Sequence, residues 1–170
     1  MRRTRTSLVA GIVTAIVLVA AVPAAFAAIH AQDTTGNCVR NQLGVRSNGT
    51  NGAAGTIYGA WVFTNISSTS CRLYGYPGMQ LYGRAGRPIP TIVKRTLRPG
   101  PTNVTLAPGG SATFISSYSD VSSSPKPCPM SAVAQITAPN AVASLFIPAR
   151  LGPCRGVVNV SAVEAGVHHA

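Results

Sequence analysis

The strongest pattern in the chain is "GTIYGAWVFTNIS", residues 55–67, where Ile57, Trp61 and Phe63 share one parity among β-forming residues. That pattern predicts a strand with one face in a core. "NCVRNQLGVRS", residues 37–47, alternates more weakly and predicts a first strand. Between them "NGTNGAAG" (48–55) carries the Gly and Asn of a turn, so the two strands are expected as a hairpin. Shorter runs rich in β-branched residues follow: "MQLYG", "TIVKRTL", "NVTL", "SATFISSYS", "MSAVAQITA", "AVASLFIPA" and "GVVNVSAV". Turns such as "RPGP" and "APGG" separate them. No long run of helical period occurs after the first 27 residues. Many short strands with regular turn punctuation predict an all-β, antiparallel, immunoglobulin-like β-sandwich. The antibody order of cysteine, tryptophan and cysteine is missing, because Trp61 lies between Cys38 and Cys71.

The opening is patterned differently. "MRRTRTS" is basic, "LVAGIVTAIVLVAAV" is apolar, and Pro23 then precedes small residues at Ala25 and Ala27. These are the three regions of a secretory signal peptide, residues 1–27, cut after Ala27. The alternative is a retained N-terminal anchor, since the apolar run approaches the length of a bilayer core. Cleavage leaves 143 of the 170 residues, one domain's worth. The expected organisation is a short extension (28–37), a β-sandwich (38–163) and a C-terminal tail (164–170). No second apolar span follows, so no transmembrane crossing is expected in the mature chain, which should be secreted and extracellular, or held at the cell envelope.

Export changes the reading of the cysteines. Four in an exported chain predict two disulfides, and their wide spacing argues against zinc ribbons and redox pairs. The first hairpin brings Cys38 beside the chain that leaves Ile66 towards Cys71. The turn at Pro139-Asn140 likewise brings Cys128 beside Cys154. The expected bridges are therefore Cys38–Cys71 and Cys128–Cys154.

Charge narrows the partners. The 14 Lys and Arg residues fall to 11 once Arg2, Arg3 and Arg5 leave; against Asp33, Asp120 and Glu164 the balance is +8. Such a protein is drawn to anionic cell-wall polymers, lipid surfaces or acidic glycans. Nucleic acid is excluded by compartment and by the lack of a recognition motif. Arginine outnumbers lysine 12 to 2, a bias of GC-rich bacterial genomes.

The residues leave little room for catalysis. Between Cys38 and Val163 there is no histidine, and Asp120 is the only carboxylate. Imidazole-based nucleophilic catalysis and paired-carboxylate hydrolysis both lack their groups. A Ser-Lys arrangement through Lys94 or Lys126, or a site about Asp120, is the enzymatic alternative. "APGGSA" resembles a phosphate loop but lacks the following Lys and helix, and reads as a turn. No cofactor is implied. Cleavage after Ala27 would expose Ala28-Ile29-His30, whose amine, amides and imidazole can hold Cu(II) or Ni(II) in a square plane. A motif that short recurs by chance.

"SCRLYGYPGMQLYG" (70–83) admits two readings. Gly75, Pro77 and Gly78 have the chemistry of a sharp corner, tied down by Cys71, and that accounts for most of it. In the other reading Tyr74, Tyr76 and Tyr82 offer flat faces to a sugar or protein, beside Arg84 and Arg87. The basic segment continues to Arg95 and Arg98, as an anion-docking surface or a solvated loop. With "GAAGTIYGAWVFTNISSTSCRLYGYPG", "VTLAPGGSATF" and the late cysteines about "LFIP", this stretch resembles the family labelled domain of unknown function 4232, found mostly in exported actinobacterial proteins and lipoproteins. The resemblance implies a secreted β-sandwich and carries over no catalytic residues. The lipid-attachment cysteine of some relatives has no counterpart directly after the apolar run here.

One measurement checks the export reading. N-terminal sequencing of the secreted form should begin Ala28-Ile29-His30; a start at Met1 would identify a retained anchor.

Overall fold

Strand β1 (Leu43–Ala53) turns directly into β2 (Thr56–Asn65), and the pairing runs to Ala53↔Thr56. The computed structural model describes residues 35–170; the expected signal peptide, its cleavage bond and His30 lie outside them. The hairpin differs from the sequence expectation at both ends. Its turn is the two-residue step Ala54-Gly55, with φ of 48° and 75°, the left-handed pair that suits the twist of a hairpin. A Cβ on Gly55 would also stand 2.5 Å from Val121 Cγ2, so glycine is required twice over. Ala54 and Gly55 are the last two residues of the 48–55 stretch expected as the turn; its Asn/Gly-rich start remains in the strand and hosts a register shift between Ser47 and Thr50. At the other end, Arg40–Gln42 forms a single 3-10 turn, held by Val39 N–H donating to Gln42 Oε1, so the strand begins only at Leu43.

β2 pairs along its length with β7 (Ser111–Ser119), which sets Trp61 opposite Phe114 and Phe63 opposite Ala112. The rings of Trp61 and Phe63 stack on Phe114 at 6.3 and 5.6 Å. The other edge of β7 is shared. β10 (Val157–Val160) takes Ser116 and Ser117, and β11 (Glu164–Ala165) takes Ala112 and Thr113. β5 (Ile92–Arg95) closes this sheet parallel to β10; the other strand pairings are antiparallel.

The facing layer has two parts. β3 (Cys71–Tyr74) pairs with β6 (Asn103–Leu106). β4 (Gly78–Tyr82), β8 (Val133–Thr137) and β9 (Ser144–Pro148) form a three-stranded sheet. Leu73, Leu106, Leu81 and Ile136 from this layer join Trp61, Phe63, Phe114, Val158 and Val160 in one buried core. The all-β sandwich is as the alternation predicts, and β3 and β11 are strands that it did not mark.

Both expected disulfides are present, Cys38–Cys71 and Cys128–Cys154. Each contributes about 2–4 kcal/mol by restricting the unfolded chain. Cys38 N–H donates to Arg72 O and Arg72 N–H to Gly36 O, so the first bridge is backed by a short parallel pairing. A second tie joins the layers. Asn65 is fully buried, and its Nδ2 donates to Leu106 O (2.9 Å) and Thr69 O (2.8 Å). Asn65 N–H donates to Gly110 O, and Gly109 N–H to Asn65 O. The amides of "APGG" are thus occupied by structure.

The chain set apart as a tail, 164–170, does not leave the sandwich at Glu164. After β11, Thr113 Oγ1 donates to Gly166 O (2.7 Å) and accepts from His168 N–H (3.0 Å). Asn48 Nδ2 donates to His168 O. The last residues therefore cross the outer face of the large sheet, where Val62 lies in register between Arg46 and Thr113 and is fully buried. Polar, histidine-bearing composition hid this. The segment is held by its backbone, not by apolar side chains.

Two outcomes follow from the core. Trp61 Nε1–H donates to the buried hydroxyl of Ser116 (2.8 Å). Ser116→Ala strands the indole donor and should cost roughly 1–3 kcal/mol in urea unfolding; no loss would mean another acceptor takes over. Burial pushes the Tyr118 phenol above its ordinary value of 10.0, the Asp120 charge adds to this, and a Gly152 backbone hydrogen bond opposes it. Below pH 10 the phenol is protonated in both folded and unfolded chains. Above it the unfolded chain loses its proton first, so stability falls as pH rises towards the raised folded value. Urea midpoints between pH 9 and 11 should fall more steeply in the native protein than in Tyr118→Phe.

Candidate ligand-binding site

The corner after β3 is made by Gly75, at φ 113°, a conformation a side chain would strain. Its carbonyl accepts from Val163 N–H (3.0 Å), which holds the corner against the large sheet. Tyr74 and Tyr76 leave this corner on either side of the glycine. Asn140 sits at the β8–β9 turn with φ 60°, which asparagine tolerates, and its Nδ2 donates to Tyr74 O (3.2 Å). From the last residue of β5, the Arg95 guanidinium lies 5.4 Å over the Tyr76 ring. Together with Pro101 and Pro139 they surround a cleft of about 260 Å³.

A second hollow, about 390 Å³, adjoins it through Tyr74 and Asn140 and adds Asn37, Arg72 and Asn103. These elements converge for identifiable reasons. The Cys38–Cys71 bridge sets Asn37 against Arg72, and β3–β6 pairing sets Tyr74 opposite Asn103. Tyr74 is 46% exposed. Arg72 Nε is buried with no hydrogen-bond partner among the described residues. Guanidinium groups only donate, while the neighbouring asparagine side chains can both donate and accept.

The seven residues expected as candidate ligand contacts, the tyrosines with Arg84 and Arg87 and the basic segment as far as Arg95 and Arg98, fall into separate places. Tyr74, Tyr76 and Arg95 meet in the corner cleft. Tyr82 and Arg84 lie at the far end of β4, roughly 14 Å along the strand from Gly78 at about 3.4 Å per residue. Arg87 belongs to the exposed turn whose carbonyl accepts from Gly83 N–H, and Arg98 is exposed in the loop before Pro99; neither lines the corner. The corner reading of "YGYPG" holds, and the same turn sets Tyr74 and Tyr76 on either side of Gly75 at the cleft. Arg72, Asn37, Asn103 and Asn140 were not singled out from sequence. The predicted bridge was the available signal, since it already placed Asn37 beside Arg72.

The residues of the enzymatic alternative do not converge. Lys94 is on β5, Asp120 follows β7 with its amide donating to Gly55 O, and Lys126 lies in a serine-rich loop. All three are exposed.

Two bridged layers with clefts at their rims define an immunoglobulin-like β-sandwich domain. The chain belongs to the family described as "Domain of unknown function (DUF4232)", whose model matches residues 38–166. That match ends at Gly166, one residue past the end of β11. No curated protein and no solved structure matches the chain.

Proposed function

We propose that the domain is a non-catalytic, secreted or envelope-associated binding module whose Tyr74–Arg95 corner receives an anionic saccharide. The observation that carries this reading is the meeting of the exposed Tyr74 ring, Asn140 and the Arg95 guanidinium around one cleft. Carboxylates and sugar oxygens supply acceptors, and the exposed ring of Tyr74 suits the apolar face of a pyranose. Asp120 and Glu164, the carboxylate side chains of residues 35–170, stand elsewhere and do not compete for the arginines. Two disulfides fit an oxidising compartment. Among the described residues no helix is long and apolar enough to cross a membrane.

Calorimetric titration tests the assignment, with oligogalacturonate as the acidic probe and dextran as the neutral one. Oligogalacturonate should bind and dextran should not. Tyr74→Ala and Arg95→Ala should each weaken Kd about tenfold, equivalent to about 1.4 kcal/mol. Equal binding of both polymers, or binding indifferent to these two changes, would sink the proposal.

A further inference from the structure

The outer face of the β4–β8–β9 sheet has a different chemistry from the corner. Register puts Tyr82, Val133 and Pro148 in one row across the strands, and Gln80, Gln135 and Phe146 in the next. Residues of the opposite parity, Met79, Leu81, Ala134 and Ile136, are buried, so these rows face outward. Phe146 is 59% exposed, and its ring meets that of Tyr82 at 6.3 Å with a 51° tilt. The two rings, Val133 and the Gly83–Gly86 turn enclose an apolar cleft of about 370 Å³ with Arg84 on its rim. A neighbouring cleft of about 370 Å³ shares Arg84 and adds Arg150 and Met130, the last 50% exposed.

The polar groups of this face are spent on one another. Tyr82 Oη donates to Gln135 Oε1 (2.6 Å), and Gln135 Nε2 donates to Ser144 Oγ (2.8 Å). Ser144 and Thr137 hydroxyls are 2.7 Å apart. Gln80 Nε2 donates to the carbonyls of Leu81 and Ile89. A saccharide needs free donors and acceptors for its hydroxyls, and this face has little of either to give. What remains outward is two aromatic rings, a thioether and two guanidiniums. That combination matches the boundary of an anionic bilayer, where aromatic side chains sit at headgroup level and arginine meets phosphate.

We propose that this face is a docking surface for an anionic lipid membrane, with Phe146 and Met130 entering the headgroup layer and Arg84 and Arg150 pairing with lipid phosphates. The charge is complementary, because Asp120 and Glu164 lie against the large sheet instead. This site and its residues are independent of the corner cleft, so either assignment can fail alone.

Flotation of the mature protein with vesicles tests it, using phosphatidylcholine alone against phosphatidylcholine containing about one third phosphatidylglycerol. The protein should float only with anionic vesicles and less so at high salt. Phe146→Ser and the Arg84→Ala/Arg150→Ala double variant should each reduce partition about tenfold, with Arg95→Ala unchanged and all melting temperatures preserved. Should Phe146→Ser melt early, Met130→Ser carries the same expectation. No flotation, flotation that ignores the loss of Phe146 and Met130, or an equal loss in Arg95→Ala would overturn the proposal. So would a dimer in gel filtration that Phe146→Ser dissociates, since the occupant would then be a second copy.

Discussion

The ladder between β2 and β7, from Thr56↔Ser119 to Thr64↔Ser111, is the constraint on which the sandwich depends. It sets Trp61 opposite Phe114 and brings the Ser116 hydroxyl to the indole N–H. A slip of one residue would turn Phe114 to the outer face and leave that indole without its acceptor. The same ladder exposes the second edge of β7 for two different strands. β10 docks on one part of it and carries β5 in parallel, which delivers Arg95 to the rim over Tyr76. β11 docks on the other part and leads the last residues back across Thr113. The position of Arg95 and the burial of Val62 therefore follow from one register.

The layers are joined by polar ties as well as by the apolar core. Asn65 ends β2 and uses its side chain to hold Leu106 of β6, while its backbone holds the "APGG" turn. A buried amide is stable only when its hydrogen-bonding capacity is met, and here both ends are. The glycines at 109 and 110 are thereby explained without any ligand. Cys38–Cys71 works from the opposite side of the same strand pair, since Cys71 is the partner of Leu106. These ties fix β3 and so the corner that follows it.

Much of this was legible along the chain. Period-two alternation marks which residues face a core, so the strands and the two hairpins could be read, and the hairpins in turn paired the cysteines. Alternation says little about register. The turn falls within "NGTNGAAG", but only at its last two residues, Ala54-Gly55, while its start stays in the strand and accommodates a register shift with Gly49 at φ 101°. The residues after Val163 lacked apolar side chains, and their docking rests on backbone groups that composition does not reveal. The tyrosines and arginines were recognised as surface chemistry but could not be divided. That division requires knowing that β4 spans the distance between Tyr76 and Tyr82. Arg72 was missed because an unpaired donor is a property of its surroundings, set by Asn37 and Asn103 arriving from elsewhere in the chain.

The two ends of β4 show how one scarcity yields two surfaces. Residues 35–170 hold nine arginines and only two carboxylate side chains, so few guanidiniums can be neutralised within the fold. Unneutralised guanidiniums remain at the rim, where solvent or a partner must meet them. At the Gly78 end Arg72 and Arg95 stand among the Asn37, Asn103 and Asn140 amides and the Tyr74 ring. At the Tyr82 end the amides and hydroxyls close into a chain from Tyr82 to Thr137, which cancels their demand and leaves apolar rings beside the arginines. The first arrangement favours a ligand rich in oxygen acceptors throughout. The second favours one that is anionic at its head and apolar below. Cationic character is common to both ends; the partner groups beside each arginine set what each can recognise.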